Sequence, residues 1–148
     1  MNKKNFSIVI PIFNEEKNII NLINEIEKNI KQKDDYEIIF VNDNSTDNSI
    51  NIFKKLNPDL KIKLINNKFH YGQSRSVLIG IQNSKYNNIV TLDGDGQNNP
   101  KDIESLVNLY FSKNYKLIGG IRFKRKDSII KIFASRIANI IRSFILED

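Results

Sequence analysis

Two aspartates stand two positions apart, each followed by glycine, in the stretch NNIVTLDGDGQNNP, residues 87–100. Asp93 and Asp95 follow a short apolar run that reads as a buried strand. On an extended segment, side chains two apart project to the same side. Like charges so close repel, and a cation between them offsets the repulsion. Gln97 adds a neutral oxygen nearby. Two carboxylates and an amide oxygen leave room in an octahedron for water and phosphate oxygens, the usual surroundings of magnesium or manganese. Asp95 is also expected to act in catalysis.

Two further polar clusters follow apolar runs. In VNDNSTD, Asp43 comes directly after IIFV, while Ser45, Thr46 and Asp47 are each suited to cap a following helix. Asp43 comes too early to cap, and a carboxylate at that place can accept hydrogen bonds from the N–H groups of a nucleobase. In PIFNEE, Pro11 cannot donate to a sheet ladder, so it ends its strand in an open loop whose backbone groups are available to a flat base. Asn14 suits a helix cap, and Glu15 and Glu16 suit the positive first turn behind it.

The elements that must position these residues alternate. FSIVIPI, YEIIFVN, KIKLIN, NIVTLD and YKLIGG read as five strands. Between them run helical patterns. The clearest carries Ile19, Ile20, Leu22, Ile23, Ile26 and Ile30. A second helix runs from about Asp47 to Leu56, where Pro58 prevents extension. SRSVLIGIQNS forms a third, Pro100 opens a fourth, and a last begins at Ser128. Strands alternating with helices predict an α/β fold with a parallel sheet and helices on both faces. In such sheets ligands bind at the carboxyl ends of the strands, which is where all three polar clusters fall.

Composition narrows the chemistry. The 148 residues fit one domain. No cysteine and a single histidine exclude thiolate and histidine-rich metal sites, so any metal is held by oxygen. No secretory signal is read at the start, and no run reaches the ~18–20 apolar residues of a membrane span. The expected compartment is therefore the cytosol. The net charge of +6 has two readings: lysines spread over solvated faces, or attraction to phosphate. Residues 122–142 hold seven basic side chains, Arg122 and Arg125 among them, against one acid.

The blocks VIPIFNEEKNI, VNDNSTDNS, GQSRSVLIGI, TLDGDGQNNPKDI and GIRFKRKDS occur in the order and spacing of glycosyltransferase family 2. They most resemble the branch that makes polyprenyl-phosphate sugars, the dolichyl-phosphate mannose synthases and undecaprenyl-phosphate glycosyltransferases. The resemblance implies a GT-A fold, a GDP- or UDP-sugar donor, a divalent metal (Mg2+ or Mn2+) and a polyprenyl phosphate acceptor. By motif position it implies that Pro11, Phe13, Asn14 and Glu15 line the nucleotide pocket and that Asp43 bonds the base. It places Asp93, Asp95 and Gln97 at the metal and diphosphate, and Arg122 and Arg125 at the acceptor phosphate. The family usually shows two acids where this chain has Asn42-Asp43, and the retained acid is the one expected at the base. Relatives of this branch continue with a segment that completes the acceptor side. Residues 1–148 are therefore expected to be a single GT-A domain lacking that segment.

The last helix, SIIKIFASRIANIIRSFIL, sets Lys131, Arg136 and Arg142 on one arc and most apolar residues opposite. It either packs on the sheet or rests on an anionic lipid surface at the inner face of the membrane. His70 is assigned no role, and Gly72 and Gly80 are read as serving a turn and a close packing. Three other functions compete. A sugar nucleotidyltransferase needs a glycine-rich basic loop after the first strand, which PIFNEEKN is not. A domain that holds nucleotide sugar without turnover remains open. A nucleic-acid partner is disfavoured, because acids on the ligand edge repel a phosphate backbone.

Overall fold

The computed structural model describes residues 4–30, 35–57, 60–113 and 115–120. The chain divides into two compact units, residues 1–118 and 119–148. In the first, β1 (Asn5–Ile12), α1 (Ile19–Asn29), β2 (Asp35–Asn42), α2 (Ser49–Phe53), β3 (Ile62–Asn66), α3 (Gln73–Gln82), β4 (Ile89–Thr91) and α4 (Lys101–Lys113) follow in turn. The strands form one parallel sheet in the order β3-β2-β1-β4. Chain order proceeds outward from β1 to β3, then returns to β1's other side for β4. The carboxyl ends of β1 and β4 thus flank the point where the winding reverses, the usual crevice of an open α/β sheet.

β1 is buried on both faces, which explains why it reads as a continuous apolar run rather than an alternating one. Phe6, Ile8, Ile10 and Ile12 join Ile19, Leu22, Ile23 and Ile26 of α1 and Ile103 and Val107 of α4 in one core. The period of α1 accounts for its side: positions 19, 22, 23 and 26 are buried, while Ile20, off the stripe, is exposed. On the opposite face α3 packs against β1 and β2. Gly80 permits this approach, because a Cβ there would stand 2.3 Å from Val9 Cγ1.

Two expectations are corrected. Residues 115–120, the expected fifth strand YKLIGG, form no strand, and Leu117 is 88% exposed. A strand is held by its neighbour's backbone and by the face it buries. At this end of the sheet β4 is only three residues long, and no described strand pairs with its outer edge. The second helix ends at Phe53 rather than near Leu56, as Lys55 and Leu56 turn back to the carbonyls of Ile52 and Phe53 with the tighter i−3 pattern.

Candidate active site

The loops after β1 and β2 are laced together by side chains. Asn14 adopts φ 58°, the left-handed region that asparagine tolerates better than most residues. Its N–H donates to Ser45 Oγ at 2.9 Å, and its Oδ1 accepts from the N–H groups of Thr46 (2.8 Å) and Asp47 (3.3 Å). Asn14 therefore does not cap α1, which starts five residues later; it caps the neighbouring loop instead. Glu16 N–H donates to Asp47 Oδ2 and Asn48 N–H donates to Glu16 Oε2, a reciprocal pair across the same gap. Asp47 Oδ1 also accepts from Ser49 N–H at 3.0 Å, where α2 begins. Partial burial pushes the Asp47 carboxyl up, but hydrogen bonds from Ser49 and the Glu16 N–H outweigh it and leave it below the ordinary value.

Asn42 and Asp43 end β2 with different tasks. Asn42 is buried; its Nδ2 donates to Asn66 Oδ1 on β3 and its Oδ1 accepts from Ser45 N–H. Asp43 is buried too, with a side chain only 4% exposed. Its Oδ1 accepts from Asn67 Nδ2 and Tyr71 N–H, both at 2.8 Å. Its Oδ2 accepts from Gly72 N–H at 2.7 Å and faces His70 Nδ1 at 2.9 Å. Burial pushes this carboxyl up, yet bonds from Asn67, Tyr71, Gly72 and Ser76 prevail and hold it below the ordinary carboxylate value. Asp43 thus anchors the loop that leads from β3 to α3. The sequence places this acid at the strand's end, and the structure encloses it with that loop.

The same loop brings His70 over Phe13, ring centroids 4.2 Å apart. The sequence reading gave His70 no part. The missed signal was position: His70 follows β3, so it lies on the ligand edge like the three acid clusters.

After β4, Asp93 Oδ1 accepts from Gln73 Nε2 at 2.7 Å, and Oδ2 from Asn98 Nδ2 at 2.9 Å. Asp95 Oδ1 accepts from Gln97 N–H at 2.9 Å. Gly94 allows the loop to lie against the end of β1, for a Cβ would stand 2.6 Å from Ile12 Cγ2 and 2.8 Å from the Pro11 carbonyl. Pro11, Phe13, Glu15, Asp43, Asp93 and Asp95 accordingly line one cleft of about 340 Å³, with His70 and Gln73. Asn14 is exposed and does not line this cleft; it lies beside Glu16, Thr46 and Asp47 on a neighbouring one. Gln97 is exposed and lies outside the lining, and its N–H donates to Asp95 Oδ1. Arg122, Arg125 and the helix from Ser128 lie outside the described residues.

Among the described residues, no three His, Cys, Asp or Glu side chains converge as a metal cluster. Asp93 and Asp95, two positions apart, both line the cleft and offer it two carboxylates. That donor set fits magnesium or manganese, which take few protein ligands and complete their shell with water and substrate phosphates.

A parallel sheet wound outward from β1, with acids from three strand ends around one cleft, defines an open α/β domain of the GT-A kind. The chain belongs to glycosyl transferase family 2, whose pattern matches residues 7–146. It is 36% identical over 140 residues to an undecaprenyl-phosphate 4-deoxy-4-formamido-L-arabinose transferase of Yersinia pestis, covering 93% of this chain and 42% of that one. The Pectobacterium carotovorum transferase of the same name is 34% identical with the same coverage. The chain therefore spans about two fifths of the length of these relatives. Among solved structures, S. aureus TarS in complex with UDP-GlcNAc superposes with TM-score 0.67 at 20% identity, over 84% of this chain and 37% of that one. The mannosyltransferase PcManGT from Pyrobaculum calidifontis, in complex with GDP-Man and Mn2+, gives 0.59 at 18%, over 71% and 31%. These likenesses carry the fold. Among the described residues no helix is long and apolar enough to cross a membrane.

Proposed function

We propose that this domain binds a nucleotide sugar in the 340 Å³ cleft and transfers the sugar, with inversion, to a polyprenyl phosphate. The observation that carries the reading is the convergence of Glu15, Asp43, Asp93 and Asp95, from three strand ends, on one cleft. The acceptor class is supported by the names of the relatives that match over nine tenths of the chain.

Phe13 and His70 offer the cleft its aromatic wall, on the side where the base is expected. Asp93 is held by Gln73 and Asn98, so its carboxylate is already fixed when the donor arrives. Asp93 and Asp95 are the residues that would hold a divalent ion, with Gln97 beside them. Such an ion, when bound, neutralises charge on the leaving nucleoside diphosphate. The nucleophile is a lipid phosphate oxygen. With a second pKa of about 6 it is ionised at neutral pH and requires positioning rather than a strong base. Arg122 and Arg125 are proposed for that task, since arginine binds phosphate bidentately. The phosphate oxygen forms its bond to the anomeric carbon from one face as the bond to the diphosphate breaks on the other. The basic residues of 122–142 suit a peripheral position on an anionic, cytoplasm-facing membrane, each contributing about 1 kcal/mol near the surface.

The test pairs transfer with binding. Radiolabelled UDP- and GDP-sugars are incubated with undecaprenyl phosphate and manganese, and lipid-extractable label is counted beside donor affinity. Label is expected in the lipid fraction. In Asp95→Asn, manganese should no longer tighten nucleoside diphosphate binding. A donor bound without transfer reduces the function to a nucleotide-sugar-binding domain, and an undiminished manganese effect in Asp95→Asn removes the metal assignment.

A further inference from the structure

α3 turns an apolar line to solvent. Its buried residues, Ser76 and Gly80, look into the sheet. At about 3.6 residues per turn Leu78 points the opposite way, with Ile81 beside it. The two are 41% and 39% exposed, where the outer line of a surface helix ordinarily carries charge. Phe69 and Tyr71, exposed in the loop that enters α3, extend the apolar strip towards the cleft, whose rim the same loop supplies through His70 and Gly72.

Cations surround this strip. Lys68 Nζ lies 5.3 Å from the centre of the Phe69 ring, and Arg75 is exposed one turn before Leu78. Lys63 Nζ reaches across from β3 to the carbonyl of Asn83, which ends α3, at 3.0 Å. Residues 60–92 hold five lysines and arginines and no acid. The acids that approach in space, Asp35 and Glu37, lie beside Lys61 and Lys85 and are turned to partners, Asp35 to Lys61 and Glu37 to Ser7 Oγ. Across the sheet the balance reverses: α1 and α4 carry Glu25, Glu27, Asp102 and Glu104 against three lysines.

We propose that the α3 face, from Phe69 to Ile81, is the surface that rests on an anionic bilayer, with α3 lying in the plane of the head groups. Its apolar side chains enter the interface, and the cations around them meet lipid phosphate, each worth about fivefold in binding. A second copy of the same face would set cation against cation. The inference rests on the polyprenyl-phosphate reading above and names the surface that brings the cleft to the acceptor's bilayer.

The chain has no tryptophan, so Leu78→Trp and Phe111→Trp each place a single fluorophore, one on α3 and one on α4. The whole chain is mixed with phosphatidylglycerol–phosphatidylcholine vesicles, without donor or polyprenyl phosphate. Emission from Leu78→Trp should shift to the blue and be quenched by lipids with brominated acyl chains, while Phe111→Trp sediments equally but does not shift. Lys68→Glu with Arg75→Glu should weaken sedimentation by more than about tenfold, and high salt or pure phosphatidylcholine should abolish it. An unshifted Leu78→Trp on a chain that sediments means another surface docks, and overturns the proposal. So does blue emission before vesicles are added: lost on dilution, it reports a second copy; kept, it reports cover from this chain itself. Docking without transfer removes the acceptor reading and leaves this surface standing; transfer without docking removes the surface alone.

Discussion

Replacing Asp43 by alanine should cost the fold more than any other single change in the cleft. The substitution strips the acceptor from Asn67 Nδ2, Tyr71 N–H, Gly72 N–H and His70 Nδ1 at once. His70 is exposed and water replaces its partner at little cost. The other three donors are drawn from a loop in which Asn67 is buried. An orphaned buried donor costs about 1–3 kcal/mol. The adjoining cleft admits water, so the low end applies, and three donors give a loss of about 3 kcal/mol. Against a typical stability of about 5–15 kcal/mol this is substantial. Urea unfolding followed by far-UV circular dichroism measures it, and hydrogen exchange at Tyr71 and Gly72 localises it. A loss under about 1 kcal/mol, with both amides still protected, would refute the reasoning.

The same acid predicts a pH dependence. The unfolded chain protonates Asp43 at the ordinary aspartate value of about 4, whereas the folded chain holds that carboxyl lower. Its contribution is therefore intact above about pH 4 and is lost as pH falls through the lower, folded value. Asp47 is lowered as well and adds to the slope. Asp43→Asn should flatten the acid limb of stability against pH without abolishing it.

Gly80→Ala should destabilise the domain by about 1–3 kcal/mol despite alanine's better helix propensity, because its Cβ overlaps Val9 Cγ1 and crowds Val41 Cγ2 at 3.1 Å; an unchanged or raised melting temperature contradicts this. Arg122→Ala and Arg125→Ala should each lower transfer to lipid phosphate by about tenfold or more while donor affinity changes less than about twofold. Equal losses in both reassign these arginines to the nucleotide.

What was legible in the sequence was what local pattern decides. The stripe through Ile19, Leu22, Ile23 and Ile26 predicts both α1 and its buried face. The four strands that formed read as apolar runs, and the acids at three of their ends do share a cleft. YKLIGG misled because an apolar run states a capacity to pair and not the presence of a partner. Asn14 misled because a helix-capping side chain serves whichever loop its backbone turns it towards, and φ 58° turned it to Ser45–Asp47. The satisfaction of Asp43 was illegible for a related reason. Its partners lie 24 to 29 positions downstream, and no local pattern reports that their donors fold back on it. His70 inherits its exposure and its ring pose from that closure.

Two of the four donors that hold Asp43 are main-chain N–H groups, at Tyr71 and Gly72. Every residue except proline carries that donor. The peg is therefore indifferent to most side chains borne by the loop it fixes. Phe69 and Tyr71, 56% and 48% exposed, are free to change without disturbing it. Gly72, at φ +88°, is not. The result is a rewritable rim on a fixed peg: substitutions at positions 69 and 71 can change the exposed surface beside the cleft while leaving the sheet and its buried anchor untouched.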